Sequence, residues 1–248
     1  MRSETCLGRE GERLDGSTSR HWVRTRGMGF QRTLSRQEVR RIYDRTGHWQ
    51  DSLSFYAPAA FETLLDHGAF DTADAIFEIG CGTGRFAKRL LRGPCRPDAQ
   101  YEGVDLSAEM VHIAGDRLRP FGARATVRRT DGSFRFEEAV GSQDRVVATY
   151  LLDLLSRDNA RALLREAHRL LAPAGRLCLA GLTWGRGPVS RGMSALWDAL
   201  YTLRPQWVGG CRPLRIRSLV DDARWQERHH AVVTRWGVPS EVLVLAPA

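Results

Sequence analysis

Between Phe77 and Phe86 the chain reads FEIGCGTGRF, and its residue types bear directly on chemistry. Gly80, Gly82 and Gly84 let the backbone turn tightly and come close to a ligand. The amphipathic helix pattern that follows offers free amides at its start. A dinucleotide fingerprint needs Gly-x-Gly-x-x-Gly. Gly80 and Gly82 match it, but Arg85 holds the third position and the glycine falls one residue early, at Gly84. No Gly-Lys-Ser/Thr follows, which excludes a P-loop. Glu78 would repel a pyrophosphate. The set therefore suits a ligand with a cationic or amine end. Asp105 and Asp131 end two later strand patterns. Asp105 lies 21 residues beyond Gly84, and a carboxylate there can accept both hydroxyls of a ribose.

The surrounding pattern says what must position these groups. DAIFEI, AQYEGVD, ARATVRRT, DRVVATYLL and GRLCLAGLTW read as strands. Between the first three lie GRFAKRLLR and SAEMVHIAGDRL, and before the last lies SRDNARALLREAHRLLA, all three with helical spacing. Ser107 and Ser156 are N-cap candidates. Apolar strands alternating with helices predict a mostly parallel sheet covered on both faces. Two alternating segments around WGVP predict a closing hairpin at the sheet edge. Before the sheet, PAAFETLLDHG predicts a helix, with Pro58 in its first turn and Gly68 past its end. Ser35 and Glu38 form a capping-box pattern that predicts another. Residues 1–34 have no period and read as a disordered extension, with Met28 opening a plausible domain start. Residues 185–222 form a late insert with one aromatic helix.

These motifs, in this order, resemble the class I S-adenosylmethionine-dependent methyltransferases. FEIGCGTGRF looks like that family's first motif, and YEGVDLSAEM, RTDGSF, DRVVATYLLDLL and LLAPAGRLCLA resemble those that follow. The resemblance implies an α/β, Rossmann-like, doubly wound, mostly parallel seven-stranded sheet with a C-terminal antiparallel hairpin and an N-terminal helical cap. It implies one methyltransferase domain over residues 35–248, with residues 185–222 capping the substrate. S-adenosyl-L-methionine would be the cofactor, held by Glu78, Gly80, Cys81, Gly82 and Gly84. Asp105 would hold the ribose, Leu106 and Met110 would flank the adenine, and Asp131 with Gly132 would take its amino group. Thr149 and Tyr150 would line the methionine end. YDRTGHWQDSLSFYAP and WGVPSEVLVL are similar to the branch of ubiquinone/menaquinone-biosynthesis C-methyltransferases and bacterial phospholipid N-methyltransferases, which makes Tyr43 a cofactor contact. Tyr56, Trp184, Trp197, Tyr201 and Trp207 are the candidate walls of a substrate pocket.

Methyl transfer displaces a neutral leaving group, so alignment and desolvation can supply most of the catalysis. A general base is needed only if the acceptor must lose a proton. His48, His229 and His230 are the base candidates, each weighed against a structural role. His229 and His230 alternate along a strand, so at most one should face inward. The expected acceptor is a small, largely apolar, aromatic or lipid-like molecule, methylated at O, N or C.

Composition bounds the partners. The chain has 248 residues, a net charge of +8 and five scattered cysteines without a CxxC pair. No zinc site or disulfide framework is expected, and a cytoplasmic setting is. No apolar run reaches a membrane span. The positive charge raises RNA or DNA as an acceptor. Against that, the arginines are spread along the chain, and ATYLLD lacks the Asn/Asp-Pro-Pro-aromatic pattern of amino-directed base methylation. A non-methylating S-adenosylmethionine-binding protein of the same fold is the other alternative. Oligomeric state is not encoded in these motifs.

Overall fold

A computed structural model of the chain describes Glu38, which lies in a helix, and residues 55–248. The expected extension over residues 1–34, the rest of the helix after Ser35, and Tyr43 and His48 lie outside the described residues.

The first complete helix, α1 (Ala57–His67), buries Ala57, Ala60, Phe61 and Leu64, the spacing of one helical face. Gly68 follows it in right-handed conformation. A β-carbon there would stand 2.3 Å from the Phe70 ring, so space rather than dihedral angle demands glycine. The α/β alternation then runs β1 (Ala75–Ile79), α2 (Arg85–Arg92), β2 (Gln100–Asp105), α3 (Ala108–Leu118) and β3 (Ala125–Arg129). It continues with β4 (Gln143–Thr149), α4 (Arg157–Leu170), β5 (Leu171–Leu182) and α5 (Pro188–Leu203), and ends in β6 (Trp225–Arg235) and β7 (Val238–Pro247). Ser107 and Ser156 cap α3 and α4 as expected, accepting from the Met110 and Asn159 amides.

The seven strands form one sheet in the order β3-β2-β1-β4-β5-β7-β6. Strands β1 to β5 pair in parallel, and β7 pairs antiparallel with both β5 and β6. The closing hairpin turns at Trp236 and Gly237, both at positive φ, as a two-residue type I′ turn requires. Chain direction across the sheet reverses between β1 and β4, the place where sheets of this type bind ligands. Alternation along the strands splits the core. Phe77, Ile79, Val146 and Leu179 pack against the apolar face of α4, including Leu163 and Leu170. Ile76, Val147 and Val244 pack on the other face against Phe61, Phe86 and Leu90 of α1 and α2.

Two strand ends differ from the sequence pattern. β4 stops at Thr149, because Tyr150 is left-handed (φ 54°) and the apolar run continues as a buried 3-10 turn, Leu152–Leu154. An apolar run of this length does not by itself distinguish strand from buried turn. The Pro-Gly turn before the fifth strand is absorbed within β5: pairing steps from Gln143–Leu171 to Arg145–Arg176, leaving a large bulge. Arg145, buried, donates to the carbonyls of Gly68 and Ala69 and to the Thr72 hydroxyl, fixing the end of α1 to β4.

Candidate functional site

The glycine loop between β1 and α2 sits at the switch point. Gly80, Gly82 and Gly84 all have positive φ, of 74°, 52° and 74°. Their surroundings differ. A β-carbon on Gly80 would meet the Leu151 side chain at 3.0 Å, and one on Gly84 would meet Ala114 of α3 at 3.2 Å. One on Gly82 would meet nothing within 4 Å, because it faces open cleft. Gly80 and Gly84 thus serve close packing, and Gly82 serves whatever occupies the cleft. Gly84→Ala should lower stability by about 2 kcal/mol, through strain and crowding. Gly82→Ala should cost about 1 kcal/mol of stability yet weaken ligand binding about tenfold. Thermal melts and calorimetric titration of both variants separate the two effects.

The loop is held from three sides. Gly80 and Cys81 amides donate to the Val104 carbonyl, at 2.8 and 3.1 Å. The Asp105 carboxylate accepts from the Gly82 amide with one oxygen and from the Ser107 amide with the other, each at 2.9 Å. Arg117 of α3 donates to both the Thr83 carbonyl and the Thr83 hydroxyl at 2.7 Å. Arg117 has no signature in the sequence beyond a helical position. Its role follows from α3 packing on the loop.

Glu78 lies beneath the loop and is fully buried. Tyr101 donates to one carboxyl oxygen at 2.6 Å and Thr149 to the other at 3.4 Å. Strand register explains the pocket: Gly103 stands directly opposite Glu78. Tyr101 is two residues away on the same face of β2. Its hydroxyl would lie 2.7 Å from a β-carbon at Gly103, so the missing side chain makes room for it. Burial pushes the Glu78 carboxyl up to about 8, against the lowering effect of the two hydroxyls.

Above the loop opens a cleft of about 1360 Å³, its mouth included. Its floor is Ile79 to Thr83 with Asp105, Leu106 and Ser107. Its apolar lining is aromatic and aliphatic, with Tyr56, Phe61, Phe86, Phe134, Phe136 and Tyr150 beside Leu151 and Leu154. Tyr56 meets Tyr150 edge-on at 5.3 Å, and the Tyr150 hydroxyl bonds Ser240 at 2.9 Å. No motif singles out Phe61, Phe86, Phe134 or Phe136. The first two have the spacing of core helix residues, and Phe134 reaches the cleft through an uncommon positive φ of 49°.

The structure brings most of the proposed cofactor residues together. Gly80, Cys81, Gly82, Asp105, Leu106, Gly132, Thr149 and Tyr150 line the cleft. Gly84 caps α2 behind it. Met110 is fully buried on the inner face of α3, and Glu78 lies below the lining. Asp131 is exposed, and its carboxylate accepts from the Ser133 amide at 2.8 Å. Burial holds the Cys81 thiol well above its ordinary range, which suits a packing residue and not a nucleophile.

Neither histidine of β6 reaches the cleft lining. A register shift between Glu227 and His229 precedes them, and the two then pair consecutively with Val244 and Leu243, on opposite faces as expected. His229 stacks on His67 with ring centroids 3.6 Å apart, and burial with the neighbouring His67 and His230 lowers its affinity for a proton. His230 bonds Glu241 at 2.9 Å. Glu241 also accepts from the Ile216 and Arg217 amides and from Thr183, tying the insert to β7.

The aromatic insert contributes unevenly. Trp197 bonds the Cys211 carbonyl at 3.0 Å and meets Tyr56 edge-on at 5.5 Å. Trp197 and Trp207 line a second cavity of about 780 Å³, mouth included, which shares Tyr56 and Cys211 with the cleft. Tyr201 is buried, and Trp184 is half-buried outside both linings.

Residues 76–175 match the family model described as a methyltransferase domain. The stretch runs from β1 into β5 and contains the whole loop with its supports. Over 108 residues the chain is 30% identical to the tRNA N(3)-methylcytidine methyltransferase Mettl2 of Drosophila melanogaster, covering 42% of this chain and 33% of that protein. The chain spans between 5% and 60% of the length of the curated relatives it matches. Among solved structures, the cyclase SpnF superposes with a TM-score of 0.66 at 18% identity, over 86% of this chain and 97% of that one. A geranyl diphosphate methyltransferase in complex with S-adenosylmethionine superposes with a TM-score of 0.57 at 15% identity, over 77% of this chain and 85% of that one. The fold is that of the class I S-adenosylmethionine-dependent methyltransferases.

Proposed function

We propose that this chain, which carries a methyltransferase domain of the class I fold, transfers a methyl group from S-adenosylmethionine to O, N or C of a small, largely apolar acceptor. The observation that carries this reading is the composition of one cleft. Its floor is a glycine loop with a carboxylate, and its walls are mostly aromatic and aliphatic, with Arg85, Thr130, Ser156 and Asn159 as polar members.

The residues present fit the cofactor. Gly82 leaves open space where a β-carbon would project, and Asp105 faces the cleft with acceptor oxygens beside it. Gly80–Gly84 and Asp105 would hold the nucleoside, and Thr149 and Tyr150 the amino-acid end. When bound, S-adenosylmethionine supplies an electrophilic methyl on a sulfonium. This chain's own part is alignment and exclusion of water by Tyr56, Phe61, Tyr150 and Leu154. Among the described residues of the lining there is no histidine, and its carboxylate, Asp105, is engaged with two backbone amides. That arrangement suits an acceptor whose reacting atom is already a nucleophile.

Calorimetric titration should show S-adenosylmethionine binding to one site, and a labelled-methyl assay should then find transfer to apolar amines, phenols or enols. Absence of binding rejects the reading. Binding without transfer to any acceptor favours a non-methylating role, a possibility raised by the likeness to a structure named as a cyclase. The match to a tRNA methyltransferase motivates an RNA panel in the same assay.

A further inference from the structure

Helix α5 carries few charges and a broad apolar side. Of its 16 residues only Arg191 and Asp198 are charged. Such a side normally faces the core. Here the side that faces the protein is the more polar one: Ser190, Ser194 and Tyr201 are buried. The Ser194 hydroxyl accepts from the Gly185 amide and Ser190 from Gly187, so the serines fasten the chain entering the helix. The opposite side carries Val189, Leu196 and Leu203, seven residues apart and therefore in one stripe.

Two tryptophans stand near the two ends of this stripe. The β6–β7 turn lies by its start, where Gly237 adjoins Val189 and Met193, and carries Trp236. Trp207 follows its end. Val189, Leu196, Leu203, Trp207 and Trp236 keep 55–76% of their surface exposed. Each tryptophan has an arginine close by: Arg204 lies over the Trp207 ring at 5.5 Å, and Arg235 precedes Trp236. Arg186 is exposed just before α5. Leu196, Trp207 and the half-exposed Phe55 also line the second cavity, so its mouth opens on this face.

We propose that this face docks on an anionic lipid surface. Apolar side chains between amphipathic tryptophans match the boundary between acyl chains and headgroups. The surrounding arginines complement anionic headgroups. The same charges disfavour a second copy of the chain as occupant. A two-fold interface would set the arginines of one copy, Arg204 and Arg235, against arginines of the other. Docking here would place the cavity mouth against the bilayer. It requires no particular acceptor or methyl transfer, because it rests on the surface alone.

The test is sedimentation of the full chain with vesicles, comparing pure phosphatidylcholine with a mixture containing phosphatidylglycerol. The chain should bind the mixed vesicles, more weakly at higher salt. Val189→Glu and Leu203→Glu should each lower the partition about tenfold, while Val140→Glu, at an exposed apolar position elsewhere, leaves it unchanged. Thermal melts and S-adenosylmethionine titration of the variants guard against misfolding and separate this result from failure of the cofactor reading. Failure to bind anionic vesicles overturns the proposal. So does binding that Val189→Glu and Leu203→Glu leave intact. A concentration-dependent dimer that these substitutions dissolve, without vesicle binding, assigns the face to a second copy instead.

Discussion

Asp105→Ala should weaken S-adenosylmethionine binding by about 100-fold, read as Kd by calorimetric titration at fixed ionic strength. The carboxylate does two jobs that one substitution removes together. Its oxygens accept from the Gly82 and Ser107 amides, which holds the left-handed Gly82 in place and starts α3 correctly. Two amides left without an acceptor cost about 1–3 kcal/mol each where they are shielded from water. Asp105 also lines the cleft, where we assign it the ribose hydroxyls. Asp105→Asn separates the jobs. The amide keeps the shape and one acceptor, but turns a donor towards a backbone N–H. Its binding should fall about tenfold. A thermal melt close to that of the unaltered chain confirms that the loop, not the fold, is at fault. Binding within threefold of the unaltered chain in the alanine variant would remove Asp105 from the site.

The alternation of strands and helices, the caps at Ser107 and Ser156 and the WGVP hairpin were legible because each is written in local spacing or turn chemistry. The glycine loop was legible in kind, since Arg85 stands where a dinucleotide fingerprint needs its third glycine; the repulsion expected of Glu78 does not operate, because Glu78 is buried below the lining and largely neutral. What each glycine does was not. Gly80 and Gly84 are set by Leu151 and Ala114, which lie far away in the chain, and only register and packing reveal that Gly82 alone faces space. Tyr101 escaped notice for the same reason: its partner Glu78 is reached across Gly103, a relation that exists only once β1 and β2 are aligned. The histidines of β6 were legible only in part. Alternation places them on opposite faces, and they pair consecutively with Val244 and Leu243, but it does not say that neither face there opens on the cleft. The exposed stripe of α5 was invisible because periodicity reports which residues share a face, and not whether anything covers it.

Glu78→Ala should destabilise the chain by about 3–5 kcal/mol, a fall in Tm of about 10 °C. It opens a cavity under the glycine loop and strands the buried Tyr101 hydroxyl. Glu78→Gln should do far less at pH 7. With its carboxyl pushed to about 8, Glu78 is largely protonated there, and glutamine replaces one neutral group with another. The difference between them appears in pH dependence. The folded state binds this proton more tightly than the unfolded one, whose carboxyl titrates near 4.5. The stabilisation is therefore complete below pH 4.5 and is lost as pH rises through 8, with a slope of up to about 1.4 kcal/mol per pH unit. Asp153, fully buried and raised to about 7 by burial, adds the same sign over pH 3.8 to 7. His229, lowered from 6.5, opposes it only on the acid side. Thermal melts from pH 5 to 8 should thus decline for the unaltered chain and decline less for Glu78→Gln. Because Glu78 lies beneath the lining, Glu78→Gln should bind S-adenosylmethionine within threefold of the unaltered chain at pH 7. A loss of tenfold or more would instead put its carboxylate against the cationic end of the ligand, with the loop acting as a screen that opens on binding.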